Sequence, residues 1–185
     1  TLPAGEPKLE IEETVSNVGE VDLEYVWQQH VALGRPLVGP GARLDVPATR
    51  GRVGDYGDGQ PNARLESNAP FDWPEAPRED GGTVDLATDF PDLDAEIHDV
   101  AFATDLDAGW YALTNPDLDL GFALTYPTEP FECLWYWQPF GGYADAPFYG
   151  RNYNVGLEPT TAYPSEGLFE AQRENGSIDV HGAGE

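Results

Sequence analysis

Hydrophobic and polar residues alternate with a period of two along most of the chain, and no segment carries a helical stripe. Leu9, Ile11 and Val15 alternate with Glu and Ser as far as Asn17, which predicts a first strand. In the next segment Val21, Leu23, Tyr25 and Trp27 share one face, while Glu24, Val26, Gln28 and His30 share the other. The run Val18-Gly19-Glu20 between them suits a hairpin connection. Further strands are predicted around Val100 to Thr104, Trp110 to Thr114 and Phe122 to Tyr126. From Phe131 to Gln138 both faces are apolar, with Phe131, Cys133, Trp135 and Trp137 opposite Leu134, Tyr136 and Gln138, so this strand is predicted to be central. Tyr153, Val155 and Leu157 then lie opposite Asn154, Gly156 and Glu158, and Pro159 is expected to end regular pairing. Ile178 and Val180 mark a last short strand. Many strands joined by Gly/Pro turns predict an all-β, antiparallel sandwich or barrel.

Between Gly34 and Gly82 the alternation gives way to closely spaced glycines and prolines. The chain therefore reads as a single partial β-sandwich domain over residues 1–185, with a loop-rich excursion at 35–82. A loop that long is expected to cover or bind something. The sequence has no methionine, opens into Lys8-Leu9-Glu10-Ile11 and closes on Gly182-Ala183-Gly184-Glu185. These features predict a fragment truncated at both ends and lacking its N-terminal part.

Composition narrows the classes. Twenty-two aromatic residues exclude a disordered polymer. No stretch approaches the roughly 20 apolar residues of a membrane span. Thirty-four Asp and Glu against nine Lys and Arg give a net charge of −25. Such a charge repels nucleic acid and anionic membranes, so neither is an expected partner. Acidic excess without low complexity looks like adaptation to high salt, where screening shortens self-repulsion. The single cysteine, Cys133, allows no internal disulfide and fits a reducing compartment. The expected location is the cytoplasm of a salt-accumulating cell.

Motifs for phosphate loops, serine elbows and zinc sites are absent. Gly57-Asp58-Gly59 and the acidic run Asp89 to Asp94 lack a full calcium ligand pattern and read as solvated loops. Histidines and unusually placed carboxylates remain. His30 ends a strand after Trp27-Gln28-Gln29, at a sheet rim, where it is either a titratable site residue or a structural or surface imidazole. His98 and His181 have acidic or glycine neighbours and read as surface residues. Glu158 ends a strand that follows a segment dense in Trp, Tyr and Phe. Aromatic faces beside carboxylates and amides suit a sugar, whose C–H faces stack on rings while its hydroxyls need polar partners.

Five stretches carry a family resemblance. The runs Leu9 to Asn17 and Tyr25-Val26-Trp27-Gln28-Gln29-His30-Val31-Ala32-Leu33-Gly34 resemble a segment of aldose 1-epimerase-like (galactose mutarotase-like) proteins. Ala108 to Thr114 and Leu134-Trp135-Tyr136-Trp137-Gln138 resemble later strands of the uncharacterised, non-galactose branch of that superfamily. Asn154-Val155-Gly156-Leu157-Glu158-Pro159-Thr160-Thr161-Ala162-Tyr163-Pro164 is similar to the family's Glu-containing segment.

The resemblance implies a supersandwich fold and interconversion of α and β sugar anomers. It implies Glu158 as general base and His30 as general acid, with Gln28, Asp99, Trp137 and Gln138 as substrate contacts. It implies no cofactor and no metal. The implied partner is a small-molecule sugar or sugar phosphate; oligomeric state is not legible. The sequence departs from the family in lacking the first half, which supplies an Arg and often a second His. Trp27-Gln28-Gln29-His30 also replaces the galactose-type segment, so the expected substrate need not be galactose or glucose and extends to a phosphorylated or modified sugar. The alternative is a non-catalytic carbohydrate-binding protein on the same fold. A glycosidase or lyase accessory role would call for two carboxylates flanking one bond, against which the Glu-plus-His pairing argues.

The charge yields a direct expectation. Circular dichroism of the full chain should show compact structure in molar salt and its loss in millimolar salt. A spectrum unchanged between the two would refute adaptation to high salt.

Overall fold

The structure, a computed structural model, describes residues 4–57, 59–163 and 180–181. Its strands are β1 (Leu23–Glu24), β2 (Ala32–Gly34), β3 (Arg43–Asp45), β4 (Ala48–Val53), β5 (Pro70–Asp72), β6 (Glu75–Pro77) and β7 (Thr83–Asp85). The longer strands follow: β8 (Ile97–Leu106), β9 (Trp110–Asn115), β10 (Leu120–Thr125), β11 (Cys133–Phe140) and β12 (Asn154–Thr160), with β13 (Val180–His181) last. Among the described residues the only helical turns are short 3-10 turns at Leu93–Ala95 and Pro116–Leu118. No helix there is long and apolar enough to cross a membrane. The fold is all-β and its strands pair antiparallel.

The main sheet has six strands in the order β2-β12-β11-β8-β4-β5. As its two apolar faces predicted, β11 is central, flanked by β12 and β8. One face of this sheet carries Leu134, Tyr136 and Phe140 of β11, Ala101 and Ala103 of β8, and Val155 and Leu157 of β12, all buried. A three-stranded sheet, β10-β9-β3, shares that core through Tyr111, Leu113 and Leu44. The Tyr111 hydroxyl donates to the Leu157 carbonyl at 3.3 Å, tying the two layers together. Complete burial of side chains such as Leu113, Leu134 and Leu157 stabilises by about 1.5–3 kcal/mol each.

The segment expected as a loop-rich excursion, 35–82, contributes four short strands, and β4 lies inside the main sheet. Its alternation is hidden in the sequence because glycine and arginine occupy it. Gly51 stands on the core face beside the large ring of Phe71 on β5, and a Cβ at Gly51 would collide with that ring. The first predicted strand is not formed. Residues 8–17 carry no strand, and Leu9 and Ile11 are exposed (63% and 64%). Alternation makes a strand only where a partner accepts its ladder bonds and covers its apolar side. Of the next predicted strand, Leu23–Glu24 pairs with β13. Ile178 lies outside the described residues.

Candidate functional site

The outer face of the main sheet is built by register. On β2, Gly34 pairs with Asn154 and Ala32 with Gly156, and the same alignment continues to an isolated bridge between Gln28 and Thr160. Backbone bonds from Leu157 to Val31 (2.8 Å) and from Gln29 to Pro159 (2.9 Å) hold the intervening stretch. His30 therefore stands opposite Glu158, and residues opposite each other in an antiparallel pair project to the same face. Pro159, expected to end the pairing, does not. It costs the strand one donor, but its carbonyl still accepts the Gln29 amide and β12 runs on to Thr160.

Glu158 is a buried carboxylate on this face. It is 3% exposed. His30 Nε2 lies 3.3 Å from Glu158 Oε1, and the Gln28 side-chain amide donates to Oε2. Burial raises the Glu158 pKa above its ordinary value, while His30 and Gln28 act in the opposite sense by favouring the ionised form. The His30 side chain is 60% exposed, so the pair has one protected and one accessible member.

Beside the pair, Gly156 faces the same way as Glu158. A Cβ at Gly156 would collide with Glu158 Oε1 and would also crowd Trp137 Cβ at 3.3 Å. The missing side chain thus makes room for the carboxylate. Trp137, opposite Gly156 on β11, puts its indole 6.4 Å from the His30 ring and nearly perpendicular to it. Trp135, opposite Glu158, packs on Phe102 at 5.6 Å and donates its indole N–H to the Ala162 carbonyl at 3.2 Å.

The residues singled out in the sequence divide between the two faces. Glu158, His30, Gln28 and Trp137 come together on the outer face. Asp99 and Gln138 pair with each other across β8 and β11 on the core face and belong to another assembly. There Arg64 donates Nε to Asp99 Oδ2 at 2.7 Å and its backbone N–H to Asp99 Oδ1 at 2.7 Å. Its other nitrogens reach Asp89 and Gln138 Oε1, and Gln138 donates to the Tyr136 hydroxyl at 2.9 Å. Asp99 is 1% exposed, and breaking a buried pair of this kind costs about 3–5 kcal/mol. These residues hold the core together where the sheet meets the 54–65 segment.

His98 is not the surface residue expected from its acidic neighbours. It is buried, accepts the Trp137 indole N–H at Nε2 (2.9 Å), and its pKa is lowered by burial. Its position in the alternation carries the signal: His98 lies opposite Pro139 and so shares the face of Trp137. Gly156 was legible the same way. The side chain of His181 and all of Asp58 lie outside the described residues. Cys133 is buried and its thiol is pushed up by burial, which suits packing rather than nucleophilic attack. Among the described residues no group of three or more His, Cys, Asp or Glu converges on a possible metal position.

Two solved structures resemble this fold. One is a proposed aldose 1-epimerase from Klebsiella pneumoniae subsp. pneumoniae MGH 78578, with 17% identity and a TM-score of 0.55, matched over 91% of this chain and 38% of that one. The other is the Slr1438 protein of Synechocystis sp. PCC 6803, with 12% identity and a TM-score of 0.56, matched over 91% of this chain and 43% of that one. The chain thus spans about two-fifths of the length of each of these structures. Its architecture is of the galactose mutarotase-like class. The chain belongs to the family described as Domain of unknown function (DUF4432), whose profile matches residues 1–185. Comparison with curated protein sequences found no match.

The packing around Glu158 gives a structural expectation. Gly156→Ala should displace the carboxylate and destabilise the chain by about 1–3 kcal/mol in denaturant unfolding. Gly34→Ala on the neighbouring strand would meet its nearest atom at an ordinary 3.4 Å, and should change stability by about 0.5 kcal/mol or less. Equal effects of the two substitutions would contradict this account of Gly156.

Proposed function

We propose that this chain carries the acid–base pair of an aldose 1-epimerase-like enzyme, an isomerase that interconverts the α and β anomers of a sugar. The observation that supports the reading is the direct pairing of a buried carboxylate, Glu158, with an accessible imidazole, His30, beside an indole face. Similarity to a proposed aldose 1-epimerase points the same way, at the level of fold.

In this reading the sugar ring lies against Trp137 with its anomeric centre over Gly156. Glu158, ionised, takes the proton of the anomeric hydroxyl. The C1–O1 bond becomes a carbonyl, the C1–O5 bond breaks, and O5 takes a proton from the His30 imidazolium. Rotation about C1–C2 presents the other carbonyl face. O5 then re-adds to C1, returns its proton to His30, and O1 regains a proton from Glu158. The cycle consumes nothing and leaves both residues as they began. Gln28 holds Glu158 Oε2, so the oxygen near His30 is the one aimed at the reacting centre.

Polarimetric mutarotation of fresh α-anomers by the full chain in high salt tests the reading. Acceleration is expected, and Glu158→Gln should lower it by about 10²–10⁴-fold. Because the base must be ionised and burial raises its pKa above the ordinary carboxylate value, the rate should fall as pH drops through that raised pKa. Gln28→Ala removes a bond that favours the carboxylate, so it should move the acid limb to higher pH. Sugar affinity retained in Glu158→Gln, with no turnover in either form, would indicate a carbohydrate-binding protein without chemistry.

A further inference from the structure

Trp137 has a second histidine on its far side. The His98 ring lies 6.2 Å from the indole and 4.9 Å from the ring of Tyr143. It lines a cavity of about 370 Å³, together with Asp55, Tyr56, Gln60, Tyr143 and Asp145. That volume is within the ~300–1,000 Å³ range of small-ligand sites. The walls are pinned to the start of β8. His98 N–H donates to the Asn62 carbonyl (3.0 Å), Asn62 donates its side-chain amide to the Gly142 carbonyl (2.8 Å), and Gly142 N–H donates to the Ile97 carbonyl (3.1 Å). The Gln60 amide donates to the His98 carbonyl. The Tyr56 hydroxyl is bonded to both the carbonyl and the amide of Val100, at 3.2 and 3.1 Å. The cavity walls are therefore tied to the β8 backbone, by main-chain bonds and by the side chains of Asn62, Gln60 and Tyr56.

Its chemistry is that of a sugar subsite. Two phenol rings and an imidazole offer flat faces, and an amide and two carboxylates offer partners for hydroxyls. His98 Nε2 accepts the Trp137 N–H, so the neutral ring carries its proton on Nδ1 and can donate there. No Lys or Arg is among the described lining residues, while Asp55 and Asp145 are, so a phosphate group is repelled. Strand spacing and residue rise put the Cα atoms of His98 and Glu158 roughly 16 Å apart on one face, too far for one pyranose to touch both ends.

We infer that the cavity beside His98 is a second subsite, which holds a neutral, hydroxyl-rich unit linked to the reacting sugar, so that the preferred substrate is the reducing end of an oligosaccharide. This rests on the proposed mutarotase reading for the site's chemistry, but binding in the cavity does not depend on catalysis. Trp137 does not line the cavity but bonds His98, which does; the reacting ring then lies on the His30 side of the indole and the second unit against His98.

The test compares maltose, lactose and cellobiose with glucose and with glucose 6-phosphate, using the full chain in high salt. Mutarotation gives kcat/KM, and titration calorimetry gives binding. The disaccharides are expected to exceed glucose by about tenfold in at least one of the two measurements, and glucose 6-phosphate to be the poorest ligand. In Tyr143→Ala the ratio of disaccharide to glucose should fall toward one. The wild-type comparison stands without the variant if Tyr143→Ala fails to fold. Tighter disaccharide binding with no turnover on any sugar would support the subsite and remove the mutarotase reading. Turnover with equal kcat/KM and equal affinity for glucose and disaccharides would overturn the subsite and leave the mutarotase reading in place. Preference for glucose 6-phosphate, or no binding of any sugar, would also overturn it.

Discussion

A carboxylate withdrawn from water at the middle of a sheet face needs partners, and Glu158 has them only because the stretch 27–34 lies in one register against β12. A shift of that edge by one residue would turn Gln28 and His30 to the core face and leave Glu158 uncompensated. An unpaired buried charge either neutralises by taking a proton or destabilises the chain. Sheet register and ionisation state are thus one constraint, enforced by backbone bonds from Gln29 to Pro159 and from Leu157 to Val31. Gly156 belongs to the same constraint, since any side chain there would occupy the space the carboxylate needs.

The two faces of the main sheet divide the work. The core face buries Leu134, Tyr136, Val155 and Leu157, and places its one charged assembly, Arg64 with Asp99 and Asp89, where the sheet meets the 54–65 segment. The outer face keeps Trp135 and Trp137 half-buried, with Glu158 and His98 beneath them. Because β11 carries large side chains on both faces, rings on the outer side are held against a filled core. A platform that does not yield is what stacking of a sugar ring requires. The strongly acidic composition adds a second constraint, since 34 acidic residues against nine Lys and Arg create a field that disfavours anionic ligands.

Much of this was legible in the sequence. Strict alternation around Glu158 assigned it to the face of Gly156, and apolar residues on both sides of Phe131 to Gln138 marked β11 as central. Gln28, His30 and Trp137 were within reach of the same reasoning. What alternation could not supply was pairing. Leu9 to Val15 alternates well but has no partner strand among the described residues, whereas Arg50-Gly51-Arg52 alternates poorly and sits in the main sheet because Phe71 covers the glycine. Asp99 and Gln138 lie on the core face by the same alternation, where a guanidinium from a distant loop, Arg64, pairs with Asp99 and donates to Gln138; no local pattern announces that contact. His98 was misjudged by its charged neighbours, when its parity with Trp137 was the better guide.

The proposed chemistry takes place between Glu158 and His30, against Trp137. A structure of the full chain with a reducing sugar bound is its sharpest test. The anomeric oxygen is expected within hydrogen-bond reach of Glu158, the ring oxygen toward His30 and a pyranose face on the Trp137 indole. A sugar bound with its anomeric carbon turned away from Glu158, or seated elsewhere on the sheet, would contradict it.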